Sequence, residues 1–158
     1  GAPLWKSINF GTINDFGAEM ALDFNLLQLI PSQRFFKKFG VAYSYINQDK
    51  TEQAGVVSKY ALEYLKNKVV SNLQMKLWRN LDLGLNYRFQ HRMGSYLDVN
   101  NHRHKYRSYG VIDARLSWND KGWTAYLEAN NLFGTHYLDY GNVPQPGTWV
   151  IGGIRINL

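Results

Sequence analysis

The stretch Leu81-Asp82-Leu83-Gly84-Leu85-Asn86-Tyr87-Arg88-Phe89-Gln90-His91-Arg92-Met93 separates onto two faces when alternate residues are taken together. Leu81, Leu83, Leu85, Tyr87 and Phe89 fall on one side, and Asp82, Gly84, Asn86, Arg88, Gln90 and Arg92 on the other. A period of two is the signature of a strand with one apolar and one polar face. The length is what decides the class. Strands of soluble sheets usually run about 5–6 residues, whereas a strand tilted across a bilayer needs roughly 9–11. The reading is a transmembrane β-barrel strand, apolar face to lipid and polar face to a wet lumen.

The same pattern recurs outward from this segment. Phe16, Ala18, Met20, Leu22 and Phe24 alternate with Gly17, Glu19, Ala21, Asp23 and Asn25, and Ile30-Pro31-Ser32-Gln33 is a turn signal. Phe39, Val41, Tyr43 and Tyr45 alternate in the next strand, followed by a polar stretch over 47–67 in which Tyr60–Leu65 has the pattern of a helical turn. Lys68–Trp78 is a third strand, and Arg79-Asn80 turns into the segment quoted above. After a polar loop over 94–107 come Gly110–Trp118, the hairpin turn Asn119-Asp120-Lys121-Gly122, and a strand from Trp123 to Asn130. A loop over 134–147 precedes the final strand, Thr148–Leu158.

Long and short connections therefore alternate, as in outer-membrane barrels with short periplasmic turns and longer extracellular loops. The expectation is about seven long antiparallel strands. Single-chain bacterial barrels have an even number, and seven would leave two long edges. Either Trp5–Phe10 supplies an eighth strand, or the chain is the end of a wider barrel.

Composition fits this class. The 158 residues contain no cysteine, which excludes disulfides and thiolate metal sites. Mean hydropathy is negative at -0.39, which a barrel tolerates because half of each strand and all its loops face water. No apolar run approaches the ~18 residues of a membrane helix. Gly1-Ala2-Pro3-Leu4-Trp5 has neither the basic start nor the apolar core of a signal peptide, so a processed chain or a part of a longer protein is expected. The net charge of +6 is scattered rather than gathered in a stripe, which argues against nucleic acid as a partner.

The last third of the chain carries a family resemblance. Leu127-Glu128-Ala129-Asn130-Asn131-Leu132-Phe133-Gly134, then His136-Tyr137, then Pro146-Gly147 and a closing alternating strand resemble the C-terminal end of TonB-dependent receptors. Asp15-Phe16-Gly17-Ala18-Glu19 and Tyr109-Gly110-Val111-Ile112-Asp113 are similar to two of that family's strand motifs. Thr148 stands where Arg usually follows Pro-Gly, and Leu158 where the family most often ends in Phe. The resemblance implies a 22-stranded barrel of which residues 1–158 are the C-terminal portion, with a plug domain not recognisable in this chain. It further implies energy from TonB through an N-terminal segment, and localisation in the bacterial outer membrane among its lipid. The cargo would be a scarce large solute such as a cobalamin, a siderophore, haem or an oligosaccharide, and the loop 141–147 looks most like cobalamin receptors. Gly153, Ile156 and Leu158 resemble the signal read by the barrel-assembly machinery, on the lipid face. The alternatives are a small eight-stranded barrel with an adhesion or structural role, and an outer-membrane enzyme.

On the residues themselves, Asn131 is suited to bonding its own backbone at a strand end, with Leu132 and Phe133 extending the apolar band. Trp78, Trp118 and Trp123 lie at the short-turn ends, as in an interfacial girdle. His102-x-His104 invites a metal reading, but no carboxylate or cysteine stands at ligand spacing, so no metal and no cofactor is expected. Glu19, Asp23, Asp82, Asp113 and Glu128 share the inward face with Lys76, Arg88, Arg92, Arg115 and Arg155. That mixture is a lumen wall rather than a catalytic pair, and no catalytic residue is expected. Ligand contact is expected from Tyr96, Asn100, His102, Tyr106, Tyr137 and Tyr140 in the extracellular loops.

Overall fold

The computed structural model describes residues 12–50 and 64–156. Trp5–Phe10, most of the 47–67 segment, the first part of Tyr60–Leu65 and Leu158 lie outside the described residues. The strands are β1 (Ile13–Asn25), β2 (Phe36–Lys50), β3 (Leu65–Lys76), β4 (Leu81–Arg92), β5 (Ser95–Leu97), β6 (Arg103–Lys105), β7 (Tyr109–Asp120), β8 (Trp123–Asn130) and β9 (Trp149–Ile156). A four-residue helix, α1 (Leu26–Leu29), follows β1.

Seven strands form one antiparallel meander in the order β1-β2-β3-β4-β7-β8-β9. The short β5 and β6 pair separately as a hairpin inside the β4–β7 loop. Up-and-down order places the β2–β3, β4–β7 and β8–β9 connections at one end of the sheet, and the three short ones at the other. The ladder satisfies the backbone polar groups within the sheet, which the hydrocarbon of a bilayer would not.

Register separates the faces. Asp23, Gly40, Asn72, Asn86 and Asp113 lie in one row across five strands. Asn25, Lys38, Gln74, Gly84, Arg115 and Glu128 form another polar row. The intervening rows are apolar: Phe24, Phe39, Leu73, Leu85, Ala114, Ala129 and Val150 lie side by side. The row beyond it runs Met75, Leu83, Leu116, Leu127 and Gly152. A polar face and an apolar face thus persist through every long strand.

The apolar face is uncovered. Phe16, Met20, Leu127, Ile154 and Ile156 are exposed, Phe16 to 68% and Ile154 to 73%. The buried apolar set among the described residues is small: Met75, Tyr106, Tyr109 and Val111. A sheet that turns its large apolar side chains outward needs lipid as its solvent. Trp78, Trp118 and Trp123 sit at the short-turn end and are exposed, the position of an interfacial girdle.

Three differences from the sequence reading have clear causes. β2 starts earlier than the alternation shows, because a bulge between Phe36 and Lys38 breaks the period there. A second bulge between Leu65 and Asn67 likewise hides the start of β3, which takes in Leu65, placed above in a helical turn. Gly153 does not share the lipid face with Ile156. It pairs with Tyr126 on the lumen face, while Ile156 pairs with Trp123. The two are offset by three positions, and an odd offset puts residues on opposite faces of a strand. A Cβ at Gly153 would lie 2.6–2.8 Å from the Tyr126 ring, so the glycine makes room for that ring.

Candidate functional site

Even positions on β4 and odd positions on β7 face the lumen, so Arg88, Gln90 and Arg92 adjoin Tyr109, Val111 and Asp113 near the loop-bearing end. The loop from Asn131 to Thr148 folds back over this part of the wall. Asn131 holds its root. Its backbone is left-handed at φ 50, a conformation Asn tolerates better than most residues. The side chain is 3% exposed with the whole residue and ties both ends of the loop. Its Nδ2 donates to the Thr135 carbonyl at 2.9 Å and to the Pro146 carbonyl at 3.1 Å, and its Oδ1 accepts from the Thr135 amide at 2.8 Å. The Thr148 hydroxyl donates to the Asn131 carbonyl at 2.7 Å. The loop is fastened to the sheet by the Asn131 amide donating to Asp113 at 2.8 Å and the Thr135 hydroxyl donating to the Gly110 carbonyl at 3.1 Å.

The middle of the loop docks through aromatic and charged groups. The Tyr137 ring stacks on Tyr109 with centroids 4.2 Å apart, and Arg88 donates to the Tyr137 hydroxyl at 3.4 Å. Arg92 pairs with Asp139 at 3.1 Å. Tyr109 donates to Gln90 and lies 3.0 Å from the same Asp139 oxygen. The Gly141 amide donates to the Tyr106 hydroxyl at 2.8 Å, and Arg92 lies 5.9 Å from the rings of both Tyr106 and Tyr140. Arg92 is well shielded and Asp139 about a third open, so this charge-assisted pair falls toward the lower end of about 1.5–3 kcal/mol. Val111, 2% exposed, lies on the wall beneath this docking.

The β5–β6 hairpin stands beside the loop. Tyr96 stacks on His104 at 5.6 Å and tilts against Tyr106 at 5.3 Å. Asp98 organises the tip: it accepts the Asn100 amide at 2.9 Å, the His102 amide at 2.8 Å and His104 Nε2 at 2.9 Å, with His102 Nδ1 at 3.5 Å. The His104 hydrogen bond, followed by that from the His102 backbone, holds the Asp98 carboxyl below its ordinary pKa. A carboxylate therefore does accompany the two histidines, from four and six residues upstream. Among the described residues no group of three or more His, Cys, Asp or Glu is arranged to hold a metal ion. Between the hairpin and the 134–147 loop opens a cavity of about 740 Å³, with Tyr96, Tyr109, Tyr137, Lys105, Arg107 and His136 among its walls.

Four of the six expected contact residues, Tyr96, Tyr106, Tyr137 and Tyr140, thus gather around Arg92 and this cavity. Tyr106 is buried against the loop rather than open to a ligand. Asn100 and His102 stand apart at the hairpin tip. Sequence reasoning placed Gln90, Arg88 and Arg92 only on the polar wall and Tyr109 only in a strand motif, and did not single out Asp139. Their available signal was that Arg88 and Arg92 share the inward face at the end of β4 that leads into a long loop.

The carboxylates expected on the wall engage different partners. Glu19 accepts from Ser44 at 3.0 Å, and Glu128 lies 3.4 Å from Arg115. Asp82 lies 3.3 Å from Lys37 and accepts from Asn119 at 3.0 Å. At the short-turn end Arg115 also sits 4.1 Å over the Tyr126 ring.

The family model described as "TonB dependent receptor-like, beta-barrel" matches residues 1–132. No curated protein and no solved structure matches the chain.

Proposed function

We propose that this chain, which belongs to the TonB-dependent receptor β-barrel family, walls the route by which its receptor takes up a scarce solute too large for porins. The family supplies the coarser statement, an outer-membrane receptor that transports. The observation that carries the finer one is the loop-bearing end of the lumen face. There a loop carrying Tyr137, Asp139 and Tyr140 is folded onto the tyrosine and arginines of the wall and bounds a cavity large enough for a small molecule. Loops on a rigid scaffold commonly carry recognition, and here each strand of the scaffold continues into the bilayer-facing sheet.

Partners follow from the family: a plug domain within the barrel, and TonB as the source of energy. Outer-membrane lipid suits the exposed apolar rows, and the barrel-assembly machinery is the expected reader of the last strand. The likeness of loop 141–147 to cobalamin receptors gains no support from the geometry, so cobalamin stands beside siderophore, haem and oligosaccharide as a cargo class. No observation favours the small adhesion barrel.

The test is uptake by whole cells expressing the full-length receptor, with a panel of labelled large solutes, in the presence and absence of TonB. Accumulation of one solute that requires both receptor and TonB is the expected result. Accumulation that persists without TonB refutes active transport.

A further inference from the structure

The two charged side chains that line the cavity between the β5–β6 hairpin and the 134–147 loop are both cations. Lys105 and Arg107 border it beside the imidazoles of His104 and His136, and among the described residues no Asp or Glu does. The nearby acids on the two flanking loops are otherwise engaged. Asp98 lies against His104 and His102, and Asp139 against Arg92 and Tyr109. Among the described residues Lys105 and Arg107 have no ion-pair partner. Unpaired surface cations are ordinarily only solvated. These two differ in bordering a concave space whose wall includes the stacked Tyr109–Tyr137 pair, with Tyr96 on the hairpin side.

Charge and rings together select a ligand. Cations without local acids draw in anions and repel cations, and a concave site strengthens that field. Tyrosine faces supply flat contact area at small entropic cost. The volume, about 740 Å³, is in the range of small-molecule sites, roughly 300–1,000 Å³. Tyr109 belongs to the lumen wall, in register with Gln90, Lys68 and Ser44, so the space adjoins the solute route.

We propose that this cavity binds a soluble ligand carrying at least two negative charges on a ring-sized scaffold. Lys105 and Arg107 pair with the acidic groups, and Tyr137 and Tyr109 take the ring. The proposal deepens the uptake reading and rests on it for the assignment to a transported solute.

The test uses the full-length receptor in detergent, with a trisulfonated hydroxypyrene as fluorescent probe and a pyrene ammonium ion as its cationic counterpart. Anisotropy should show saturable binding of the sulfonate, weakened by salt, and no binding of the ammonium ion. Lys105→Gln with Arg107→Gln should weaken it about 10- to 100-fold, the equivalent of one charge-assisted contact. Lys121→Gln, in the turn at the opposite end, should leave it unchanged. Heat-modifiable gel mobility confirms that each variant is folded, and Tyr137→Leu should also weaken binding with both cations intact.

Equal binding of the two pyrenes, or an unchanged double variant, overturns the proposal. Displacement of the probe by lipopolysaccharide micelles but not by soluble citrate makes the cavity a lipid-headgroup site and overturns the assignment to a solute. The uptake reading is judged separately, by TonB dependence in cells. A receptor with TonB-dependent uptake that ignores the double variant keeps that reading and loses this one. Charge-selective binding in a receptor without TonB dependence keeps the cavity and loses the transport reading.

Discussion

Replacing Leu85 with Arg is the sharpest test of the face assignment. Leu85 is the fifth of twelve residues in β4, between Leu73 on β3 and Ala114 on β7 in an apolar row. A cation on the lipid face near the bilayer midplane costs about 2–4 kcal/mol, falling toward the interfaces. At about 1.4 kcal/mol per tenfold, Leu85→Arg should lower the folding constant roughly 30- to 700-fold. Leu83, only third in the strand and nearer the turn, should give a smaller loss. Asn86→Arg is the matched control one residue away. Its row holds Asn72 and Asp113, so the new guanidinium meets water and a carboxylate. Its effect should stay within about 0.5 kcal/mol. The measurement is urea titration of receptor folded into phospholipid vesicles, followed by tryptophan fluorescence and gel mobility. Equal losses for Leu85→Arg and Asn86→Arg, or a larger loss for the latter, would refute the assignment of lipid and lumen.

Asn131→Ala removes three side-chain hydrogen bonds at the root of the 134–147 loop and strands buried backbone groups. A cost of about 1–3 kcal/mol per unsatisfied group should appear as faster proteolysis within the loop, with the sheet unaffected. Gly153→Val should displace the Tyr126 ring from above Arg115 and destabilise by about 1–3 kcal/mol; a Tyr126→Ala background should relieve much of that loss in the same urea titration. Asp98 has a depressed pKa when the hairpin is formed, so its contribution is complete above the unfolded carboxyl value of 3.8 and is lost as pH falls through the lower folded value. A spin label at Asn100→Cys should therefore stay ordered at neutral pH and become mobile only below about pH 3.8. The same label with Asp98→Asn should be mobile throughout.

The long strands were legible because a bilayer imposes length and alternation at once. Each β-strand of the meander has enough consecutive period-two positions to register in sequence, and the alternation of loop lengths fixes which ends belong together. The signal fails where the ladder is irregular. Around Phe35-Phe36-Lys37-Lys38 two aromatics and two cations run consecutively, and the bulge there turns Lys37 toward Asp82. Around Leu65 a second bulge delays the alternation until Asn67. Gly153 takes the lumen face for a different reason: it stands three positions from Ile156, and an odd spacing reverses the face of a strand.

The site was half legible, and the line falls between local and distant contacts. Loop tyrosines declare themselves by type and place. Their partners do not, because Arg92 and Asp139 are 47 residues apart and Arg88 and Tyr137 are 49. The Asn-Leu-Phe corner shows the same division. Sequence suggested that Asn131 bonds the backbone at its own strand end, with Leu132 and Phe133 extending the apolar band. In the fold that one amide joins the end of β8 to Thr135 on one side and to Pro146, ahead of β9, on the other. Closing the loop at its root shortens the free segment between Thr135 and Pro146 and lowers the entropy it must lose on docking. Tyr137 and Asp139 are thereby held over Arg88, Tyr109 and Arg92. A residue that ties the end of β8 to the approach to β9 also sets the position of the loop proposed to meet the solute, so a substitution there should alter ligand contact through geometry, without touching ligand.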